Sequence, residues 1–139
     1  MKTKLLIPMG FLFAMILIFS IITGFITSQE KKPWPVPDAD KNKVNPIKAD
    51  ASSIADAKTL WVKHCQSCHG KTGMGDGSKA PQLKTEPGDF SQDDTQSQSD
   101  GSLFYKTSKG RDDMPGFKKK IPENDDIWSL VNYMRTFKK

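Results

Sequence analysis

An all-α domain over residues 52–139 is predicted by three observations. Apolar residues recur at three- and four-residue steps near both ends of this stretch, and a shorter segment between them carries helix boundary signals of its own. No run alternates apolar with polar residues as a half-buried strand would, so the pattern belongs to helices packed on helices. The first 51 residues have a different composition, and the mean hydropathy of -0.55 averages unlike parts.

Leu5 to Ile26 (LLIPMGFLFAMILIFSIITGFI) carries no charge and follows Lys2 and Lys4. Its length is close to the ~20 apolar residues that a membrane-crossing helix needs, and the two lysines put its amino end on the cytoplasmic side. Lys31 and Lys32 beyond it weaken that asymmetry. A secretory signal has a shorter apolar core, about 7 to 15 residues, and a small-x-small cleavage site. Phe25 and Ile26 interrupt any such pair among Gly24, Thr27 and Ser28, so residues 1–28 read as a retained transmembrane anchor in preference to a cleaved signal. Residues 29–51 hold Pro33, Pro35, Pro37 and Pro46 among many charges and few apolar side chains. That composition predicts an extended linker, with Trp34, Val36 and Ile47 available for occasional contacts.

Within the domain, Ser53 followed by Asp56 resembles a capping box, and Ile54, Ala57, Leu60, Trp61 and His64 continue at helical spacing into Cys65. Lys71 to Asp94 is rich in Gly, Asp and Pro without a sustained period, and Ser91 to Gln98 reads as a polar, solvated connection. Asp100-Gly101-Ser102 opens a shorter helix through Leu103, Phe104 and Tyr105 that ends near Gly110. Pro122 to Phe137 starts with Pro and acidic residues and finishes beside Arg135, Lys138 and Lys139, matching the helix dipole at both ends. Ile127, Leu130, Val131 and Met134 form its apolar stripe, widened by Trp128, Tyr133 and Phe137.

Cys65-Gln66-Ser67-Cys68-His69 interrupts this helical pattern with chemistry. Cys-x-x-Cys-His is the signature of covalent haem c attachment: two thiols at this spacing can add to the two vinyl groups on one porphyrin edge, and the next residue offers an imidazole to the iron. A zinc site needs four ligands, yet Cys65 and Cys68 are the only cysteines and His64 is the only other histidine. A redox dithiol would sit near a βαβ pattern and would not require the following His. A plain disulfide across two residues closes too short a loop to stabilise much. One covalently attached haem c per chain is therefore expected, with His69 as the proximal iron ligand. A buried haem also supplies apolar core that a domain this small otherwise lacks.

The second axial position is narrowed by elimination. His64 adjoins a thiol bonded at the porphyrin edge and reaches the opposite face with difficulty. Met1, Met9 and Met15 lie in or beside the anchor, Met74 follows His69 too closely, and Met134 belongs to the last helix's stripe. Met114 remains, in a turn set by Pro115 and Gly116. His/Met ligation favours a fairly high reduction potential.

These residues together resemble the class I c-type cytochromes, a monohaem family with bacterial membrane-anchored members, over residues 52–139. Cys65, Cys68 and His69 match the attachment motif, Met114 the distal methionine, and Gly70, Gly73, Gly75 and Gly77 the loop of many bacterial relatives. The resemblance implies a small cytochrome c fold of about three to five helices around the haem. It also implies that Pro81, in Pro81-x-Leu83, presents the carbonyl that accepts a bond from His69 and orients it. Where the family commonly has Gly at the crossing of the first and last helices, this chain has Ala57.

Function expectations follow from the resemblance. The domain is expected to carry electrons between redox proteins, as a tethered shuttle or a respiratory-chain subunit, without being an enzyme and without a small-molecule substrate. A peroxidase-like enzyme or a haem sensor with a displaceable sixth ligand is the alternative. Covalent haem attachment takes place outside the bacterial cytoplasmic membrane, so the domain is expected on the periplasmic or outer face. The net charge of +5 is too mixed for nucleic acid. Lys106, Lys109, Arg111, Lys118, Lys119 and Lys120 flank Met114 and suit partners with acidic docking surfaces.

Overall fold

Asp50 starts the first long helix, and it does so three residues ahead of the predicted box. Its carboxylate accepts the Ser53 backbone N–H at 2.9 Å while the Ser53 hydroxyl accepts the Asp50 N–H at 3.2 Å, a reciprocal cap. The Ser53 N–H and hydroxyl hold the Asp50 carboxyl below its ordinary range. The predicted start at Ser53–Asp56 thus moves to Asp50–Ser53, because Asp fills the cap position as well as Ser does.

The computed structural model describes residues 33–139, and the predicted anchor at Leu5–Ile26 lies outside the described residues. Six α-helices occur among the described residues: α1 Asp38–Lys41, α2 Ala51–His64, α3 Gln66–His69, α4 Asp93–Gln96, α5 Asp100–Lys109 and α6 Asn124–Arg135, with a 3-10 turn at Ala80–Gln82. Among the described residues only α2, α5 and α6 exceed one turn or so, and the one β-bridge joins Arg111 to Met114. The domain is all-α, as predicted. Among the described residues no helix is long and apolar enough to cross a membrane.

The core lies where α2 crosses α6. Ala57 and Trp61 of α2 and Ile127, Leu130 and Val131 of α6 have no exposed surface. Each large side chain buried in this way stabilises the fold by about 1.5–3 kcal/mol. The methyl of Ala57, on the face of α2 that meets α6, is accommodated without exposure. On the other side of α6, Phe104 of α5 stacks on Trp128 at 4.1 Å between ring centroids, extending the core to the third long helix.

Residues 35–50 depart from the extended linker predicted for 29–51. Pro35–Lys139 forms one compact unit. Asn45 explains the difference: its amide donates to the Trp128 carbonyl at 3.1 Å and to Asn132 Oδ1 at 2.9 Å, and Asn132 returns a bond to the Ile47 carbonyl at 2.9 Å. Ser99 Oγ donates to the Lys41 carbonyl at 2.6 Å. At Gly101 the α1 backbone approaches so closely that a Cβ would lie 2.1 Å from the Asp40 carbonyl oxygen. Prolines stiffen this segment without preventing its polar groups from finding partners on α5 and α6.

The stretch 91–98 is likewise more than a solvated loop. Arg135 Nη1 donates to the Gln96 carbonyl at 2.8 Å, and Nη2 donates to the Gln98 carbonyl and to Asp100 Oδ1, both at 2.6 Å. One guanidinium thus gathers α4, the start of α5 and the end of α6, using the fixed fork of donors that only Arg presents.

Candidate haem centre

The attachment motif folds as a continuation of α2. Cys65 caps that helix, and α3 adds a single turn in which the Cys68 and His69 N–H groups donate to the Cys65 carbonyl at 3.1 and 2.9 Å. Both thiols and the imidazole therefore leave one helical turn. The chain then wraps back on it: Gly75 N–H donates to the His69 carbonyl at 2.9 Å and Gly77 N–H to the Cys68 carbonyl at 3.1 Å. Gly77 has to be glycine here, because a Cβ would lie 2.4 Å from the Ser67 carbonyl oxygen.

Electrostatics at the motif separate its possible chemistries. Cys65 and Cys68 are free thiols. Burial, and then the neighbouring Cys68, push the Cys65 thiol up to about 12. A catalytic redox pair needs the opposite shift, a thiol lowered toward neutrality. Zinc is no better served, since no cluster of three or more potential metal-holding side chains occurs among the described residues. His64, the remaining histidine, packs its ring on Phe117 at 6.0 Å.

His69 is suited to iron. It is 9% exposed, enclosed by Trp61 at 5.7 Å and Phe90 at 5.2 Å between ring centroids. Burial lowers its pKa to about 4, opposed by the Pro87 backbone carbonyl. The imidazole is thus neutral at pH 7 and keeps the lone pair that a metal requires. Its Nδ1 is buried and makes no hydrogen bond of ordinary geometry.

Met114 sits on a closed loop. Arg111 and Met114 exchange backbone bonds of 2.8 and 2.9 Å, with Asp112 at a φ of 50° completing the turn. At the neck of the loop a Cβ on Gly110 would lie 2.2 Å from the Gly116 nitrogen. Pro115 and Gly116 flank this turn, and Asp112 makes it. Asp113 Oδ2 accepts the Lys84 N–H at 2.7 Å, tying the methionine loop to the segment after the 3-10 turn. Met114 packs, partly buried, against the core, whereas Met74 is 44% exposed and Met134 is a core residue at 3%.

Pro81 lies exposed in the 3-10 turn Ala80–Gln82, and His69 Nδ1 makes no hydrogen bond to its carbonyl. Sequence reasoning also passed over Phe90. An isolated aromatic in an aperiodic loop carries no local signal, yet Phe90 is 8% exposed and meets the rings of both Trp61 and His69.

Residues 52–134 match the family described as cytochrome c oxidase, cbb3-type, subunit III. The chain belongs to this family. It is a c-type cytochrome whose haem c is covalently bound, and Cys65 and Cys68, not joined to each other, beside the buried imidazole of His69 fit that group. Comparison with curated protein sequences gave no match. Among solved structures the cytochrome is similar to a chain of the Kuenenia stuttgartiensis reducing HAO-like protein complex Kustc0457/Kustc0458, with a TM-score of 0.60 and 22% identity. The alignment covers 79% of this chain and 53% of that one, so the cytochrome spans about half the length of its structural neighbour, and the likeness is one of fold. Electron transfer is the activity to which a cytochrome c domain of this family corresponds.

Proposed function

We propose that this cytochrome is a one-electron carrier of a respiratory chain, held at the bacterial cytoplasmic membrane by residues 1–28 with its haem domain on the outer face. The observation that carries the electron-carrier reading is the buried His69 directly after Cys65 and Cys68, which form no disulfide with each other. When bound, the haem supplies a ferric/ferrous couple. The chain's own part would be to fix it through Cys65 and Cys68, to hold iron through His69 and Met114, and to keep water out with Trp61 and Phe90. Were His69 and Met114 both to hold the iron, the metal would keep no site for a small-molecule substrate, which favours an electron carrier over an enzyme. A peroxidase-like site needs a distal acid or base, and Arg111, the nearest such group in sequence to Met114, pairs with Asp112 at 3.3 Å.

Met114→Ala tests the ligand set. The ferric holoprotein should lose the far-red sulfur-to-iron band and its reduction potential should fall, because a thioether ligand raises the potential. An unchanged ferric spectrum would refute the assignment and return the sixth position to a sensor or an enzyme.

Partners with acidic surfaces are supported by a smaller basic set than the sequence suggests. Lys118 donates to the Pro122 carbonyl and to Asn124 Oδ1, and Lys106 to Gln98 Oε1, so part of their charge is committed locally. Lys109, Lys119 and Lys120 are exposed. In washed membranes the haem should sediment with the membrane through a salt wash, and its oxidation by the membrane's own acceptor should slow as ionic strength rises. Release of the haem into the supernatant would remove the anchor, and a rate indifferent to salt would remove the electrostatic docking.

A further inference from the structure

A side chain carried on a loop stays at a metal only as firmly as the loop itself is held, because loops open locally at far lower cost than the core. Met114 is carried on such a loop. Its backbone exchanges two bonds with Arg111, and the chain rejoins α5 just beyond, where Phe117 N–H donates to the Thr107 carbonyl at 3.0 Å. These bonds join near neighbours in sequence, so they shape the turn without tying its tip to the attachment motif.

A bond from Asp113 reaches further. This residue, directly before Met114, accepts the Lys84 N–H on Oδ2 at 2.7 Å. The segment that carries Lys84 is itself fastened to the attachment turn: Gly77 N–H donates to the Cys68 carbonyl at 3.1 Å and Lys79 N–H to the Ser67 carbonyl at 2.8 Å. The 3-10 turn Ala80–Gln82 then leads to Lys84, with Leu83 N–H bonded to the Ala80 carbonyl at 3.1 Å. Residues 77–84 thus form a short strap from the turn of Cys65, Cys68 and His69 to the methionine loop, and Asp113 is its far attachment. Asp113 and Lys84 are both exposed, so water can replace the bond without leaving a buried group unpaired.

We propose that the Asp113–Lys84 bond is a latch on the Met114 loop, and that it sets how often the thioether leaves the iron. The proposal rests on Met114 being the sixth ligand. Asp113 is a positioning residue, acting on the metal only through the placement of Met114. With the bond made, the loop is held at its neck by α5 and near its tip by the strap. With the bond broken, the neck alone holds it.

The test is the rate at which imidazole binds the ferric holoprotein, since a methionine at the sixth position must leave before imidazole can enter. Wild type, Asp113→Ala, Asp113→Asn and Asp112→Asn are compared. Asp113→Ala should bind imidazole about 3- to 10-fold faster, the change in open population that loss of one net hydrogen bond allows, and its Lys84 amide should exchange faster with solvent. Asp113→Asn keeps a side-chain acceptor and should stay near wild type, which separates the bond from the charge. Asp112→Asn removes the neighbouring charge, tolerates the φ of 50° at that position and should also match wild type. The latch is overturned if Asp113→Ala binds imidazole at the wild-type rate, or if Asp113→Asn binds it as fast as Asp113→Ala. A wild-type ferric spectrum without the far-red sulfur-to-iron band is a separate result: it removes the Met114 assignment, and the latch with it.

Discussion

Trp61→Ala should cost about 3–5 kcal/mol of stability, the range for deleting a fully buried aromatic side chain. Trp61 has no exposed surface and lies within 6 Å of four rings: His69 at 5.7 Å, Phe90 at 5.5 Å, Tyr133 at 5.9 Å and Phe137 at 5.0 Å. Its indole N–H donates to the Gly70 carbonyl at 3.0 Å, immediately after His69. Removal therefore opens a cavity and leaves a carbonyl beside the haem motif unpaired. A domain stable by about 5–15 kcal/mol has little margin for such a loss. Trp61→Phe keeps most of the packing and gives up mainly the hydrogen bond, so it should cost less than the alanine variant. Guanidinium unfolding of the holoproteins, followed by haem absorbance and far-ultraviolet circular dichroism, measures both. A Trp61→Ala loss under about 1 kcal/mol would contradict the central role given to this ring.

Arg135→Met is expected to cost about 2–3 kcal/mol, the second largest effect. Hydrogen bonds to a charged group contribute about 1.5–3 kcal/mol, and the Arg135 side chain, 29% exposed, is only partly screened by solvent. Methionine keeps much of the aliphatic volume while removing every donor. The Gln96 and Gln98 carbonyls and the Asp100 carboxylate then lose their common partner, and α4 and the start of α5 are released from α6. Hydrogen exchange should show the loss concentrated at residues 93–103. A Tm and an exchange pattern matching wild type would mean that the clasp contributes nothing.

Much of the fold was legible because helices are local. The predicted Asp100–Gly110 helix is observed as Asp100–Lys109 with Gly110 at a φ of 68° beyond it, since boundary residues act on their own helix end. The apolar stripe of Pro122–Phe137 likewise appears as the buried face of Asn124–Arg135. The shift of the α2 cap from Ser53 to Asp50 is of another kind. Two capping residues compete three positions apart, and side-chain geometry decides between them.

Composition misleads where polar groups are satisfied at a distance. Residues 35–50 read as a linker because Pro and charge dominate them, yet Asn45 and Asn132 bond the segment to the last helix. Gln96 and Gln98 read as solvated loop, yet their carbonyls hold Arg135. No window of sequence displays such partners, since they lie tens of residues apart.

The sequence by itself determined the helical class, the attachment motif Cys65-x-x-Cys68-His69 and the shortlist that ends at Met114. These depend on spacing within a turn or two, or on counting the available donors. The tertiary structure alone decided that His69 is buried, that Trp61 and Phe90 enclose it, and that Pro81 stays exposed. The burial of an imidazole is set by which distant segments pack together, and packing is a property of the folded whole.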